Sequence, residues 1–280
     1  MLAARQWHVS TLLLFIIALV ALFVLYFPFL STLVTAWDTN EDYSHGYFIP
    51  FVSLYMIWSV RGQLANLKIK PSNAGMFLVI GGLGLLLIAK IGSELFLQRV
   101  SLIIVLLGLV LFLLGRDYFK LLKWPILYLI FMVPLPAIIW NKIAFPLQLF
   151  GSYLTEQIVR LLGIPIFRQG NVLHLAETTL EVVAACSGLR SLLTMLALSS
   201  LLVWMSSLPV GRRWVLLLSA VPAALIANIV RLTITAILAS LYGSDVAQGF
   251  LHDFSGLLTF IVGFGLLLLS AKLLSLKQTN

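Results

Sequence analysis

The chain is a series of long apolar runs joined by short polar connections. Within these runs the apolar residues are continuous rather than alternating, which argues against a membrane β-barrel and favours membrane-spanning helices. We predict an all-α, polytopic transmembrane helical bundle, organised as a single integral-membrane domain over residues 1–280. It has about eight spans, several shorter than the ~20 residues that usually cross a bilayer. The predicted spans are 11–30, 46–60, 74–89, 100–115, 124–140, 189–208, 214–233 and 254–271.

Two parts of the pattern are irregular. Four prolines interrupt residues 124–150, so the fifth span has the least certain bounds. The first span is followed by Val34-Thr-Ala36, which resembles a signal-peptide cleavage site. The span is nevertheless longer than a signal-peptide core, and we interpret it as a retained anchor.

A short region before the sixth span has β-strand character. Asn171–Leu175 and Thr179–Val183 are predicted to form a small extracytoplasmic hairpin that leads into Cys186. The hairpin either serves as a scaffold, the interpretation we favour from sequence, or offers an edge to which an extended substrate peptide adds.

Composition agrees with a membrane protein. Hydrophobic residues make up 61% of the chain, charged residues 10%, and the mean hydropathy is +1.07, which excludes an ordinary soluble domain. The net charge of +8 would suit nucleic acid only if a soluble basic patch existed, and the sequence has none. The basic residues instead favour alternate connections, which predicts cytoplasmic termini and an external segment 141–188. The predicted cytoplasmic basic residues are Arg5, Arg61, Lys68, Lys70, Arg116, Lys120, Lys123, Arg212, Arg213, Lys272 and Lys277.

Three residues could carry acyl-transfer chemistry. They are Cys186, the single cysteine, together with Arg231 and His252, each in or beside a predicted span. At ~1.5 Å per helical residue they lie roughly 33, 27 and 30 Å from the cytoplasmic ends of their spans. The sequence therefore predicts that three helices present them near the outer edge of a ~30 Å hydrocarbon layer.

Each candidate also has a structural explanation. A lone cysteine can be a small apolar filler, Arg231 an interfacial anchor, and His252 a cap beside Asp253. Arg190 would favour a thiolate at Cys186, and it is either a second candidate for stabilising an oxyanion or an anchor to lipid headgroups. His45 either contributes to the site or shapes a turn with Gly46. No clustered metal ligands and no glycine-rich phosphate loop occur, so we predict neither metal nor nucleotide cofactor.

The block Ala-Cys-Ser-Gly-Leu-Arg at 185–190, the segment Asn-Ile-Val-Arg at 228–231 and the final His252 resemble the exosortase/archaeosortase family in order and spacing. Residues 42–50, Asp-Tyr-Ser-His-Gly-Tyr-Phe-Ile-Pro, resemble that family's N-terminal signature. The resemblance implies a membrane cysteine protease/transpeptidase with Cys186 as the nucleophile, Arg231 as the family's arginine and His252 as its histidine.

The resemblance also implies substrates and location. These would be exported proteins that carry a C-terminal motif such as Pro-Glu-Pro, a transmembrane helix and a basic tail. Processing would occur through a thioester at the outer face of the cytoplasmic (inner) membrane, in contact with lipid and without nucleic acid, with a possible link to exopolysaccharide machinery. The alternative is a non-enzymatic subunit or scaffold of an exopolysaccharide export system, in which Arg231 lines a polar path and Cys186 is inert.

Overall fold

The computed structural model describes residues 2–176, 178–182, 188–243 and 250–276, with side chains from residue 11 onward except those of residues 250–253. Cys186 lies outside these ranges. The described chain is predominantly helical and divides into two compact units, Met1–Leu135 and Pro136–Asn280. This confirms the all-α, polytopic prediction, whereas the single domain stays a prediction.

The first unit contains six α-helices and three short irregular turns. The helices are α1 (Leu2–Thr39), α2 (Phe48–Ser59), α3 (Arg61–Ala65), α4 (Ala74–Ile91), α5 (Leu95–Leu109) and α6 (Arg116–Tyr128). A 3-10 helix, Glu41–Tyr47, links α1 to α2; a π-helical turn, Val110–Leu114, extends α5; and a second 3-10 turn, Leu129–Met132, extends α6.

Within the described residues, the second unit contains five helices and a small antiparallel sheet. Its elements are α7 (Ala137–Leu161), β1 (Ile166–Gln169), β2 (Val172–Leu175), β3 (Thr179–Glu181), α8 (Leu189–Met205), α9 (Val210–Leu218), α10 (Ala220–Tyr242) and α11 (Phe250–Leu276). The strand order is β1-β2-β3, with Phe167, His174 and Thr179 aligned across the sheet. The predicted hairpin is confirmed as β2–β3, and β1 was not predicted.

Five described helical segments are long and apolar enough to cross a membrane: Thr11–Thr39, Ala74–Ile91, Leu95–Leu114, Val210–Tyr242 and Phe254–Leu276. A sixth arises if the broken pair Arg116–Met132 and Ala137–Leu161 counts as one span. The chain is therefore a multi-pass membrane protein, and the predicted number of about eight is not confirmed. Two predicted spans correspond to helices of only 12 and 17 residues, α2 and α8.

The predicted span 124–140 is interrupted in the structure. The helical chain stops after Met132 and resumes at Ala137, because Pro134 and Pro136 cannot donate backbone hydrogen bonds to a continuing helix. The following 25-residue helix α7 was not predicted, since its polar residues and Pro146 obscure an apolar pattern.

Helix α10 is the central element of the second unit. It packs against α7, α8 and α11. Small side chains make this close approach feasible, as helix interfaces in membranes commonly require. Its buried alanines are Ala220, Ala223, Ala224, Ala227, Ala236 and Ala239. The sheet packs on the second half of α10, where Leu173, Leu175 and Val182 share a buried cluster with Leu232 and Ala236.

Candidate active site

The structure describes the predicted site residues to different extents. Arg231 lies in the middle of α10, and Arg190 in the first turn of α8. His252 is the third residue of α11, and only its backbone is described. Cys186 lies wholly outside the described residues. His45 belongs to the other unit.

The described residues on both sides of Cys186 belong to packing that involves α10. On one side, Val182 at the end of the sheet is 2% exposed and belongs to the buried cluster that contains Leu232. On the other side, Gly188 packs directly against the side chain of Asn228. Asn228 and Leu232 are one helical turn apart, about 6 Å along the axis. Arg231 follows Asn228 by three residues, which places these two side chains on the same side of the helix.

Gly188 meets two requirements that favour glycine. Its φ is +80°, in the left-handed region that side chains rarely adopt. A Cβ atom at this position would also lie 2.9 Å from Cγ of Asn228 and 3.0 Å from its Cβ. The turn that ends the Cys186 segment is thus shaped both by its own backbone and by the neighbouring helix.

Arg231 carries a hydrogen-bond donor that has no partner within the described ranges. The residue is partly exposed, but its Nη2 atom is buried. An unsatisfied charged donor in an apolar helix is costly and commonly marks a functional position. This N–H group is therefore available to an acceptor.

Arg190 occupies an unusual electrostatic position. It is partly buried in the first turn of α8, two residues after Gly188. A cation there opposes the positive end of the helix dipole, so helix stabilisation does not explain it. Support for a thiolate, oxyanion stabilisation and headgroup binding stay predictions for Arg190.

The backbone of His252 can be located relative to Arg231 through a helix contact. A Cβ atom built at Gly263 of α11 would lie 3.5 Å from Cβ of Ala227 on α10. His252 precedes Gly263 by eleven residues, and Arg231 follows Ala227 by four. Because consecutive helices packed through a short link run antiparallel, both residues lie on the same side of this contact. His252 is about 10 Å further along the axis.

His45 has a structural environment in the first unit. Its Nε2 lies 3.2 Å from the carbonyl oxygen of Phe131, and the adjacent Gly46 packs under the indole of Trp37. Trp37 donates from Nε1 to the Met132 carbonyl at 2.9 Å. These contacts support the turn interpretation of His45.

Tyr43 completes this arrangement. Its hydroxyl oxygen accepts a hydrogen bond from the Leu135 N–H at 3.2 Å, and burial raises the pKa of Tyr43 to about 12. We call Trp37, Tyr43 and His45 the aromatic clamp. Its three side chains bond the backbone of residues 131–135, where prolines interrupt the helix.

A polar connection between α7 and the sheet was missed by sequence reasoning. Glu156 is 7% exposed and forms ion pairs with Arg160 at 2.6 Å and Arg168 of β1 at 3.4 Å. The Ser152 hydroxyl donates to the Gly170 carbonyl at 3.1 Å, in the turn between β1 and β2. The i, i+4 spacing of Glu156 and Arg160 is the sequence signal that could have indicated a helix here. These bonds hold the sheet that leads to Cys186.

No group of three or more potential metal ligands occurs among the residues that the structure describes. A shallow depression at the turn end of the sheet is lined by Gly163, Ile164, Pro165, Ala176 and Ser240. Ser240 is the lining residue on α10, and it follows Arg231 by nine residues. This depression is therefore separate from the candidate site.

The described chain is that of a polytopic helical membrane protein. Its central helix α10 carries Arg231, and Gly188, two residues after Cys186, packs against the same helix. Comparison with protein families agrees: the model of the transmembrane exosortase family matches residues 37–269, which include all five candidate residues. The chain belongs to the transmembrane exosortase family. No curated protein and no solved structure matches it.

Proposed function

We propose that the protein is a cysteine peptidase/transpeptidase that cleaves the C-terminal sorting signals of exported proteins at the outer face of the cytoplasmic membrane. One observation carries this proposal: Gly188, two residues after Cys186, packs against Asn228, which lies three residues before Arg231 on the same side of α10. Membership of the exosortase family supports it independently.

The nucleophile is the Cys186 thiolate. Cys186 precedes the N-terminal end of α8 by three residues, and the positive end of a helix dipole favours a negative charge. The sulfur attacks the scissile carbonyl carbon, forming an S–C bond and a tetrahedral oxyanion. Collapse of this intermediate breaks the C–N bond and leaves a thioester on the enzyme.

Arg231 stabilises the oxyanion. Its buried Nη2 offers the donor that the developing charge requires, and loss of one such donor typically costs about 3 kcal/mol of transition-state stabilisation. The arginine stays protonated throughout, so it supplies charge without exchanging a proton.

His252 acts as the general acid and then as the general base. It protonates the departing amine in the first step and removes a proton from the acceptor, water or an amine, in the second. The acceptor oxygen or nitrogen then attacks the thioester and releases the thiolate. The position of His252 further along the helix axis than Arg231 suits an encounter with the leaving and incoming groups.

Replacement of the nucleophile tests the proposal. The probe is a tagged exported protein from the same genome whose C-terminus carries a short motif, an apolar helix and a basic tail. Cys186→Ala should insert normally yet leave the probe unprocessed on immunoblots, and Cys186→Ser should be nearly inactive because a hydroxyl is the weaker nucleophile. Full processing by Cys186→Ala would overturn the mechanism and leave the scaffold alternative.

The proposed location requires a defined topology. Reporter fusions at Ser72 and Lys277 should indicate the cytoplasm, and a fusion at Gln169 in β1 should indicate the exterior. Activity of a cytoplasmic reporter at Gln169 would contradict the outer-face site.

A further inference from the structure

The outer edge of β3 is unpaired within the described part of the sheet. The strand order β1-β2-β3 leaves β1 and β3 as edges. The β1 edge is next to α7, to which Arg168 is bound through Glu156. The β3 edge is the one that continues directly into the Cys186 segment.

The hydrogen bonds of the hairpin fix which backbone groups face outward. Val182 donates to the Asn171 carbonyl at 2.9 Å, and Leu175 donates to the Thr178 carbonyl at 2.8 Å. Residues 178 and 182 thus point their polar groups toward β2. Because these directions alternate in antiparallel sheets, the N–H and C=O groups of Thr179 and Glu181 point away from β2.

The side chains of β3 leave this edge accessible. Thr179 and Glu181 are exposed, whereas Leu180 packs toward the buried cluster beneath the sheet. A peptide could therefore approach the outward backbone groups of Thr179 and Glu181 without displacing the core.

The position of β3 brings such a peptide to the proposed nucleophile. Cys186 follows Glu181 by five residues, at most about 17 Å of extended chain. The strand ends at Glu181, and the next residue, Val182, belongs to the buried cluster that includes Leu232 of α10. An added strand would thus pair with the part of the chain that leads directly to Cys186.

We infer that β3 binds the substrate's cleavage segment as a fourth β-strand, through the outward backbone groups of Thr179 and Glu181. This inference rests on the proposed function and identifies its substrate-binding surface. Recognition is by main-chain hydrogen bonding, with an extended peptide as the occupant.

Disulfide trapping tests the inference. Cys186→Ala removes the only native cysteine and preserves the uncleaved probe, so Thr179→Cys or Glu181→Cys can be added to this variant. The tagged probe receives single cysteines at successive positions of its cleavage segment. Disulfides should form at one register for position 179 and at a register two residues away for position 181.

A matched control lies on the same sheet. Phe167 is 62% exposed and aligns with Thr179 through His174, on the same face but two strands away. A fourth strand would lie about 5 Å from β3 and about 14 Å from β1. Disulfides require Cα atoms within about 7 Å, so Phe167→Cys should not trap the probe. Equal trapping at 167 and 179, or none at 179 and 181 in inserted protein, would overturn the inference and leave β3 as a charged, protected edge.

A second measurement uses the unmodified enzyme. Proline is moved one residue at a time through the cleavage segment of the probe, and processing is quantified. Pairing to β3 predicts that sensitivity alternates every second position, because only alternate N–H groups face β3. Uniform sensitivity would contradict the inference. Processing that does not depend on Cys186 would instead overturn the proposed function, whatever the trapping pattern.

Discussion

The aromatic clamp of the first unit and the surroundings of Arg231 in the second both place polar groups amid apolar helices, but they differ in what the side chains bond. The clamp bonds backbone groups at a proline break through Trp37, Tyr43 and His45. Arg231 instead has a buried donor without a partner in the described chain. A polar cluster bonded to backbone stabilises a fold, whereas an available donor beside a candidate nucleophile is suited to chemistry. Substitutions in the first region should therefore change stability, and those in the second activity.

After replacement of Cys186 itself, the largest effect should come from His252. His252→Ala removes proton transfer and should reduce turnover by about 10²–10⁴-fold without loss of inserted protein. Acyl-enzyme should accumulate if activation of the acceptor limits the second step. A thioester-sensitive gel shift of the tagged probe measures this. If His252→Ala processed the probe at the wild-type rate, His252 would have only its structural role at the start of α11.

Arg231→Lys should have the next largest effect. Lysine keeps the charge but loses the planar fork, so processing should fall by about 10²–10³-fold. Because the oxyanion forms during acylation, this variant should not accumulate thioester. Wild-type processing would reduce Arg231 to an interfacial anchor, since lysine would extend to the membrane surface equally well. Arg190 would then become the next candidate for oxyanion binding.

Gly188→Ala should impair activity through geometry. The added Cβ would collide with Asn228, and the left-handed backbone adds about 1–2 kcal/mol of strain. Asn228→Ala in the same chain should relieve part of the collision, so the double variant should be less impaired than the two single effects predict. Strict additivity of the three processing rates would contradict a contact between the Cys186 segment and α10.

The smallest effect on activity should arise in the clamp. Trp37→Phe removes the donor to the Met132 carbonyl and should lower stability by about 1–2 kcal/mol. Processing per folded molecule should stay near the wild-type value. The loss of stability is measured by comparing the midpoints of thermal aggregation in detergent of the wild-type protein and the variant. A loss of turnover at unchanged stability would show instead that the aromatic clamp contributes to catalysis.

The bounds of long, uninterrupted apolar helices were predicted from the sequence more accurately than those of helices that prolines or polar residues interrupt. Long runs bounded by charges, such as 74–89 and 254–271, correspond closely to α4 and the apolar part of α11. Helix α7 was missed because its exposed apolar and buried polar residues, among them Gln148 and Glu156, reverse the usual pattern. Strand β1 was missed because it is short and its pairing with β2 depends on the tight turn at Gly170.

The candidate site was accessible to sequence reasoning only as a set of residue types. Motifs and spacing indicated Cys186, Arg231 and His252, and the family match covers all three. The packing of Gly188 on Asn228 could not be read from the sequence, because 40 residues separate the two and helix packing alone brings them together. The same holds for the docking of β1 on Glu156.

The brevity of β3 has a consequence for substrate choice. Three residues expose only two outward-facing positions, and each backbone hydrogen bond contributes about 0.5–1.5 kcal/mol. Such a strand alone would bind a free peptide weakly and would read little of its side-chain sequence. A substrate whose own helix lies in the same bilayer, however, searches two dimensions, so its effective concentration near the strand is high. Membrane anchoring would then supply most of the selectivity, and one enzyme of this kind could serve many exported proteins.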